Sequence, residues 1–497
     1  MKVKQSKQSK ITAVILAGGL GTRMLSDISD NPKALMPILE KPMIYYVISA
    51  VLKIKEDKRN KNKIDRIIVV IGHKGERVKD YILNENDKAF SESRIDFVVQ
   101  KEYAGTADAA RQVLPLLGPA GKDDGDILIL PCDTPLITYQ TLKGFAEFHS
   151  ATFNDLSILS FKTKDPFSYG RLLKDDNGFV KAIVEEKELV NYSGTSIRSI
   201  KDVNAGIYLV KKDHFKELVG LIQPDNLKKE YYLTDLAGIF YQHGLKVKCY
   251  CFMEGQEELM GVNSWIELLT ARQIMQKRFI CKMAENGVNF VTADNIYIGA
   301  SVKVHEGAVI YPGCFISGSS VIGKNAVIES GSVIRNSIIG EDSIIKSYSV
   351  LEDVFVENGA SVGPFGRLRQ GTVIKSGAKI GNFVEVKNSV IGENSKAQHL
   401  SYVGDSQVGK DVNIGAGVIT CNYDGIKKHR TVIGDGCFIG SDSQLVAPVV
   451  IEKNSYVASG TTVTKNVPEG NLAISRAPQE NKKGWVLKRL KKIKNKE

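Results

Sequence analysis

Along the first half of the chain, short apolar runs alternate with longer stretches in which apolar residues recur every three or four positions. The runs fall at residues 12–17, 67–71, 97–99, 127–130, 156–161 and 207–210. Most are continuous stretches of Val, Ile and Leu rather than apolar–polar alternations, the pattern of strands buried on both faces. Separated by helix-length segments, they predict βαβ units on a mostly parallel sheet covered by helices. Residues 264–285 place apolar side chains at helical spacing behind Ser264, a good N-cap residue, and predict a connecting helix.

From residue 298 the pattern changes to a six-residue period. Ile298, Val304, Ile310, Ile316, Ile322, Ile328 and Ile334 keep one register, and after a shift of four residues come Ile338, Ile344, Val350, Val356, Val362, Leu368, Ile374, Ile380 and Val386. The series resumes at Ile433, Ile439, Leu445, Ile451, Val457 and Val463. Neither a helix nor an ordinary strand sustains a period of six, but a β-solenoid that turns every six residues does, with each aliphatic pointing inward. Glycines such as Gly323, Gly381 and Gly440 follow these aliphatics, where a turning backbone has least room for a Cβ. Residues 421–430 interrupt the repeats, and loops that leave a solenoid are where function concentrates. The predicted organisation is a basic tail (1–10), an α/β domain (11–263), a linker helix (264–290), a solenoid (291–481) and a second basic tail (482–497).

Charge sharpens this division. The formal net charge of +11 resides in residues 1–10, with four lysines, and residues 482–497, with eight basic residues against Glu497. Residues 11–481 carry 55 basic and 55 acidic side chains, and no basic stripe with interleaved aromatics points to nucleic acid. The seven cysteines form no C-x-x-C pair, which argues for a reducing compartment and against structural zinc. The apolar stretch after the first lysines ends in Gly21-Thr22-Arg23 rather than a small-residue cleavage site, and no run reaches the ~18 apolar residues of a membrane span. A cytoplasmic protein without stable membrane insertion is expected.

Candidate chemistry begins at Leu16-Ala-Gly-Gly-Leu-Gly-Thr-Arg-Met24, directly after the first strand. A glycine-rich turn there offers backbone N–H groups to phosphate oxygens, and Arg23 adds charge. The spacing is neither G-x-G-x-x-G nor a Walker loop, so a dinucleotide site and a P-loop are both disfavoured. Lys33, in Asn31-Pro-Lys-Ala-Leu35, is a second phosphate candidate. Asp133 follows a buried run, the usual ligand position on an open parallel sheet, and its carboxylate suits magnesium held jointly with substrate phosphates.

Leu16–Met24, Lys33, Gln100 with Gly105-Thr106, Asp133, Tyr169-Gly-Arg171, Glu185, Asn204 and Asn263 resemble the successive motifs of sugar-1-phosphate nucleotidyltransferases. The second half resembles one family closely, the bifunctional N-acetylglucosamine-1-phosphate uridylyltransferases and glucosamine-1-phosphate acetyltransferases. That likeness rests on Gly363-Pro-Phe-Gly-Arg-Leu-Arg369, Gly381-Asn-Phe-Val-Glu-Val-Lys387, Ser395-Lys-Ala-Gln-His-Leu-Ser-Tyr402, Asn413-Ile-Gly-Ala-Gly417, Thr420-Cys-Asn-Tyr-Asp-Gly425 and Ala473-Ile-Ser-Arg476. It implies a Rossmann-like α/β nucleotidyltransferase domain followed by a left-handed parallel β-helix of hexapeptide repeats, assembled as a homotrimer.

The resemblance also implies roles. Leu16, Ala17, Gly18, Gly19, Arg23 and Lys33 would hold UTP phosphates; Gln100, Gly105 and Thr106 would read the base; Gly170, Glu185 and Asn204 would hold the sugar. Asp133 and Asn263 would bind Mg2+. In the acetyltransferase, His399 would take the proton from the sugar amine, with Glu385 orienting it, and its near-neutral intrinsic pKa suits that role. Arg369, Lys387, Tyr402 and Asn413 would hold the sugar phosphate, and Ala416, Asn422, Tyr423, Ser441, Ser459 and Arg476 would line the acetyl-CoA site. Departures from the family pattern are Gly18 in place of Ala, Gly105-Thr-Ala-Asp-Ala109 in place of Gly-Thr-Gly-His-Ala, Gln370 in place of Pro and Ser459 in place of Ala. The first two lie beside the expected base pocket and leave thymidine or guanosine nucleotides open as alternatives to uridine. A scaffold that has lost its chemistry is the non-enzymatic alternative, opposed by the joint presence of Arg23, Lys33, Asp133, Asn263, His399 and Tyr402.

Overall fold

In the computed structural model, every predicted apolar run lies within a strand. The structure describes residues 10–19, 31–57, 62–118, 125–192, 195–253, 256–475 and 477–494. The chain divides into two units, Met1–Met275 and Gln276–Glu497, with the boundary inside the long helix Trp265–Glu285.

The first unit is built on a nine-stranded sheet. Its main path runs Val247–Phe252, Leu156–Lys162, Asp202–Lys211, Gly125–Pro131, Lys10–Ala17, Lys63–Ile71, Ile95–Val99. Asp202–Lys211 is antiparallel to both of its neighbours, whereas the other main-path pairings are parallel. Successive residues of the first strand serve opposite faces: Ile11, Ala13 and Ile15 join one buried cluster and Val14 the other. That two-sided burial is why the run reads as continuously apolar. Three strands escaped the sequence pattern, Arg171–Lys174, Val180–Val184 and Val247–Phe252. Each mixes Lys or Arg with short apolar stretches, as edge or half-buried strands do.

The linker helix forms with the expected cap. Glu267 N–H donates to Ser264 Oγ at 3.2 Å, while the Glu267 carboxylate accepts from Asn263 N–H at 2.6 Å and from Ser264 Oγ at 3.1 Å. This reciprocal arrangement satisfies donors at a helix start and fixes Asn263 in space. Among the described residues, no helix is long and apolar enough to cross a membrane. The segment read as the second basic tail carries a helix, Trp485–Lys494, whose Trp485, Leu487 and Leu490 side chains are exposed.

The second unit is the expected parallel β-helix. Its strands fall into three parallel sheets of 11, 10 and 9 strands, each successive coil adding one strand to each sheet. One continuous core runs through it, from Ile280 to Val467. The register predicted after Ile334 is corrected. Ile338 and Ile344 are exposed and Val350 is only half-buried, whereas Ile339, Ile345 and Leu351 point inward. The shift at Ile334 is therefore five residues, not four, and a second five-residue step leads from Leu351 to Val356. Two more five-residue steps run from Val386 to Ile391 and from Val403 to Val408, and each of the four carries, two positions after its inward aliphatic, a non-glycine residue in the left-handed region: Asn336 (φ 46°), Asp353 (φ 51°), Asn388 (φ 46°) and Asp405 (φ 49°). Asn and Asp tolerate that conformation best among residues with a Cβ, and in the six-residue corners the left-handed residue, such as Asn325 or Asp342, stands one position later. Buried serines line other corners with their hydroxyls donating to backbone carbonyls, as Ser395 Oγ does to Gly409 O at 2.7 Å and Ser401 Oγ to His399 O at 2.8 Å. Such bonding keeps buried hydroxyls from being stranded.

Candidate active sites

The first site gathers at the carboxyl ends of the sheet strands. The chain leaves Lys10–Ala17 to build one side of the sheet and returns through Gly125–Pro131 on the other, so these neighbours form a topological switch point, where open α/β sheets bind ligands. Leu16 pairs with Pro131 in register, and Cys132 N–H donates to Leu16 O at 3.0 Å. Gly18-Gly19 and Asp133 thus emerge side by side. Gly72 packs against them: a Cβ there would lie 2.8 Å from Gly18 Cα. Burial pushes the Cys132 thiol up to about 12, so it stays neutral beside Asp133.

Lys33 joins three distant parts of the chain. Its ammonium donates to the Asp133 carboxylate and, at 2.8 Å, to Asn263 Oδ1. The proposed phosphate lysine and both proposed metal ligands therefore meet at one point. A carboxylate and an amide oxygen converging within reach of one cation form a hard-oxygen donor set that fits Mg2+. Arg23 falls outside the described residues.

The residues expected to read the base lie across the same strand ends. Gln100 is buried, its N–H donating to Ile71 O at 2.8 Å and its side-chain Nε2 to Asp108 Oδ2 at 2.8 Å and Gly105 O at 3.2 Å. Gly105 has φ 119°, and a Cβ there would lie 2.5 Å from Tyr231 O. Thr106 opens the helix Thr106–Arg111, and its hydroxyl accepts from Leu233 N–H at 3.0 Å. The residues expected to hold the sugar also meet. Asn204 N–H donates to Gly170 O at 2.9 Å, and a Cβ on Gly170 would lie 3.6 Å from Glu185 Oε1. Burial raises the Glu185 carboxyl above the usual carboxylate range. Burial, then Glu185 and Glu188, raise the neighbouring Asp235 carboxyl to about 6.

In the β-helix, coil stacking sets the chemistry. Arg369 lies opposite Lys387, Glu385 opposite Tyr402, and Asn382 opposite His399 on successive coils. Arg369 and Lys387 line one cleft with Arg367, Asp405 and Lys428. Lys428, on the inserted loop, was not anticipated; Lys387 beside it lowers its pKa. A lone lysine in a polar loop carries no sequence signal for this, but the insertion itself marked the loop. Burial of Asp405 is outweighed by hydrogen bonds from Asn388 and Asn422 and by the charges of Lys387 and Lys428, which hold its carboxyl below the usual range. Glu385 accepts from Arg369 Nη1 at 2.9 Å, so the carboxylate is engaged by that guanidinium rather than by His399. His399 is exposed at the end of the strand Lys396–His399.

Other predicted residues separate on one chain. Asn413 lies opposite Lys396 and lines a different cleft with Lys379, on another sheet from Arg369 and Lys387. Ala416, Ser441 and Ser459 stack at one corner: Asp442 N–H donates to Ala416 O at 2.7 Å and Gly460 N–H to Ser441 O at 2.8 Å. Asn422 instead lies with Tyr402, bonded to the Asp405 carboxylate and 3.5 Å from the Tyr402 hydroxyl. Tyr423 is exposed on the inserted loop, and Arg476 falls outside the described residues.

Comparison with known proteins agrees with both halves. Residues 12–257 match the nucleotidyl transferase family model, residues 294–377 that of the GMPPB C-terminal domain, and residues 430–465 the bacterial transferase hexapeptide model of six repeats. Among similar proteins, the "Bifunctional protein GlmU" of Geotalea uraniireducens is 40% identical over 483 residues, covering 97% of this chain and 100% of that protein. Those of Thermodesulfovibrio yellowstonii and Thermoanaerobacter pseudethanolicus are each 41% identical, covering 96% and 97% of this chain and 99% of each relative.

Proposed function

The chain belongs to the family of bifunctional GlmU proteins, and on that premise we propose which residues carry each half of its chemistry. It is an enzyme that acetylates glucosamine 1-phosphate with acetyl-CoA and transfers uridylyl from UTP to N-acetylglucosamine 1-phosphate, giving UDP-N-acetylglucosamine and pyrophosphate.

For uridylyl transfer, a phosphate oxygen of the sugar phosphate attacks the α-phosphorus of UTP and pyrophosphate leaves. No protein nucleophile is required, so the chain's task is positioning and charge neutralisation. The Gly18-Gly19 turn, Arg23 and Lys33 hold phosphates, Gln100, Gly105 and Thr106 the base, and Gly170, Glu185 and Asn204 the sugar. Asp133 and Asn263 hold magnesium, which supplies neutralising charge to the phosphates when bound. The observation that carries this reading is Lys33 reaching Asp133 and Asn263 together.

For acetyl transfer, His399 takes the proton from the sugar amine as that amine attacks the thioester. Arg369, Lys387 and Lys428 clamp the sugar phosphate, with Tyr402 on the sugar. Asn413 completes the sugar site, and Ala416, Asn422, Tyr423, Ser441, Ser459 and Arg476 line the acetyl-CoA site. Because Asn413 and Arg369 face different clefts on one chain, a site containing both draws on more than one copy, which supports a homotrimer. A ladder of exposed aromatics supports it further. Tyr348, Phe365 and Phe383 stack at 5.5 and 5.3 Å between ring centroids, each with a left-handed backbone. An exposed apolar ridge held in a costly conformation suits a subunit contact. We place the enzyme in the cytoplasm.

The test is product identification by mass after incubation with acetyl-CoA, glucosamine 1-phosphate and, separately, UTP, dTTP or GTP. UDP-N-acetylglucosamine as the main product is expected; preferred turnover of dTTP or GTP would reject the uridine assignment, and no acetyl transfer would reject the second half.

A further inference from the structure

The two departures beside the base pocket, Gly18 and Asp108, are joined through one side chain. Gln100 is buried, and both hydrogens of its Nε2 are engaged, one by Asp108 Oδ2 at 2.8 Å and one by Gly105 O at 3.2 Å. This fixes the sense of the amide: a flipped group would set Oε1 against two acceptors, leaving a buried acceptor facing lone pairs. Asp108 is itself held, its Oδ1 3.3 Å from Gln112 Nε2 one turn along the helix. With Nε2 committed, Oε1 points at Gly18, where a Cβ would lie only 2.5 Å from it and 3.5 Å from Gln100 Cβ. Gly18 therefore leaves the space that the pinned amide needs, and its backbone, which is not left-handed, does not itself require glycine.

From this geometry we infer that Asp108 is a positioning residue for nucleobase selection. By holding one amide hydrogen of Gln100 while Gly105 O holds the other, it leaves an acceptor oxygen as the group that meets the base. An acceptor there favours a base whose ring nitrogen carries hydrogen, as N3–H of uracil does, and disfavours cytosine, whose N3 is an acceptor. The inference rests on the uridylyl-transfer reading above and names the residue that sets its selectivity.

The test uses the full chain and measures uridylyl transfer with UTP and CTP, with acetyl transfer as an internal check of folding. Asp108→Ala raises the KM for UTP about tenfold, with kcat changing far less, and lowers the UTP-over-CTP ratio of kcat/KM by about tenfold, the scale of one lost discriminating hydrogen bond. Asp108→Asn, whose amide oxygen can accept the same bond, restores most of both. Gly18→Ala alone lowers kcat/KM for UTP, but in the Asp108→Ala background it costs much less, because an unpinned Gln100 can swing aside. The proposal is overturned if Asp108→Ala leaves KM and base preference unmoved, if Asp108→Asn is no better than Asp108→Ala, or if the Gly18 and Asp108 losses simply multiply. An unaltered enzyme that does not use UTP overturns the underlying reading as well, and is told apart by that result alone.

Discussion

Replacing Gly381 with alanine tests whether coil stacking positions His399, the proposed acetyl-transfer base. Gly381 lies in the strand Lys379–Asn382, which pairs in parallel with Lys396–His399, placing Asn382 opposite His399. A Cβ at Gly381 would lie 2.6 Å from Gln398 Cα and closer still to that residue's carbonyl group. Carbon atoms pack best at about 3.5–4.0 Å, so the methyl overlaps its neighbour by about an ångström. The obstructing atoms are backbone, and no rotamer relieves the overlap. The coils must part at Gln398, and His399 moves with it. Overpacking of this kind costs about 1–3 kcal/mol, and displacing a reacting group by about 1 Å can cost about 10²-fold in rate. Gly381→Ala should therefore lower acetyl transfer by about 10², while uridylyl transfer, carried by the other unit, stays within about twofold. Gly359→Ala is the control: φ is 65° there, but nothing lies within 4 Å of a Cβ. It pays only left-handed backbone strain and should acetylate nearly normally. Both rates are read by product formation on the same preparation. A Gly381→Ala enzyme with an unchanged acetyl-transfer rate, or a Gly359→Ala enzyme equally impaired, would refute the reasoning.

Three further outcomes follow from the sites. Asp133→Asn should lower uridylyl transfer by at least about 10² and shift its magnesium titration to higher concentration, with acetyl transfer intact; an unchanged titration would reject the metal role. Lys428→Ala should raise the KM for glucosamine 1-phosphate about tenfold with little change in kcat, and a normal KM would remove Lys428 from the phosphate clamp. The Asp235 carboxyl, raised to about 6 by burial and then by Glu185 and Glu188, binds its proton more tightly in the folded than in the unfolded chain. Its ionisation therefore lowers stability as pH rises from the unfolded carboxyl range to about 6, and the loss is complete above that. Asp235→Asn should raise the melting temperature of the first unit near neutral pH and change it little near pH 4; the reverse order would refute the assignment.

What was legible in the sequence was what repeats or what is buried on both sides. The strands Lys10–Ala17 and Lys63–Ile71 announce themselves because alternate residues serve two cores, and the β-helix because each coil must supply inward aliphatics at fixed intervals. The register failed at Ile338 because a six-residue rule assumes equal corners. Asn336 and Asp353 shorten theirs by one residue, and their left-handed backbones are visible only after folding, although their spacing of 17 residues was in the sequence. Site residues divide in the same way. Lys33, Asp133, Gln100 and His399 stood in recognisable motifs, but Lys428 lay in a polar loop, and only the return of that loop to Lys387 gives it a task. Asp405 shows why such residues resist a sequence reading. It makes a left-handed corner of the coil and also accepts from Asn388 and Asn422 beside Lys387. A residue that satisfies a backbone requirement and an electrostatic one at once carries a single sequence signal, and the structural requirement alone is enough to account for it.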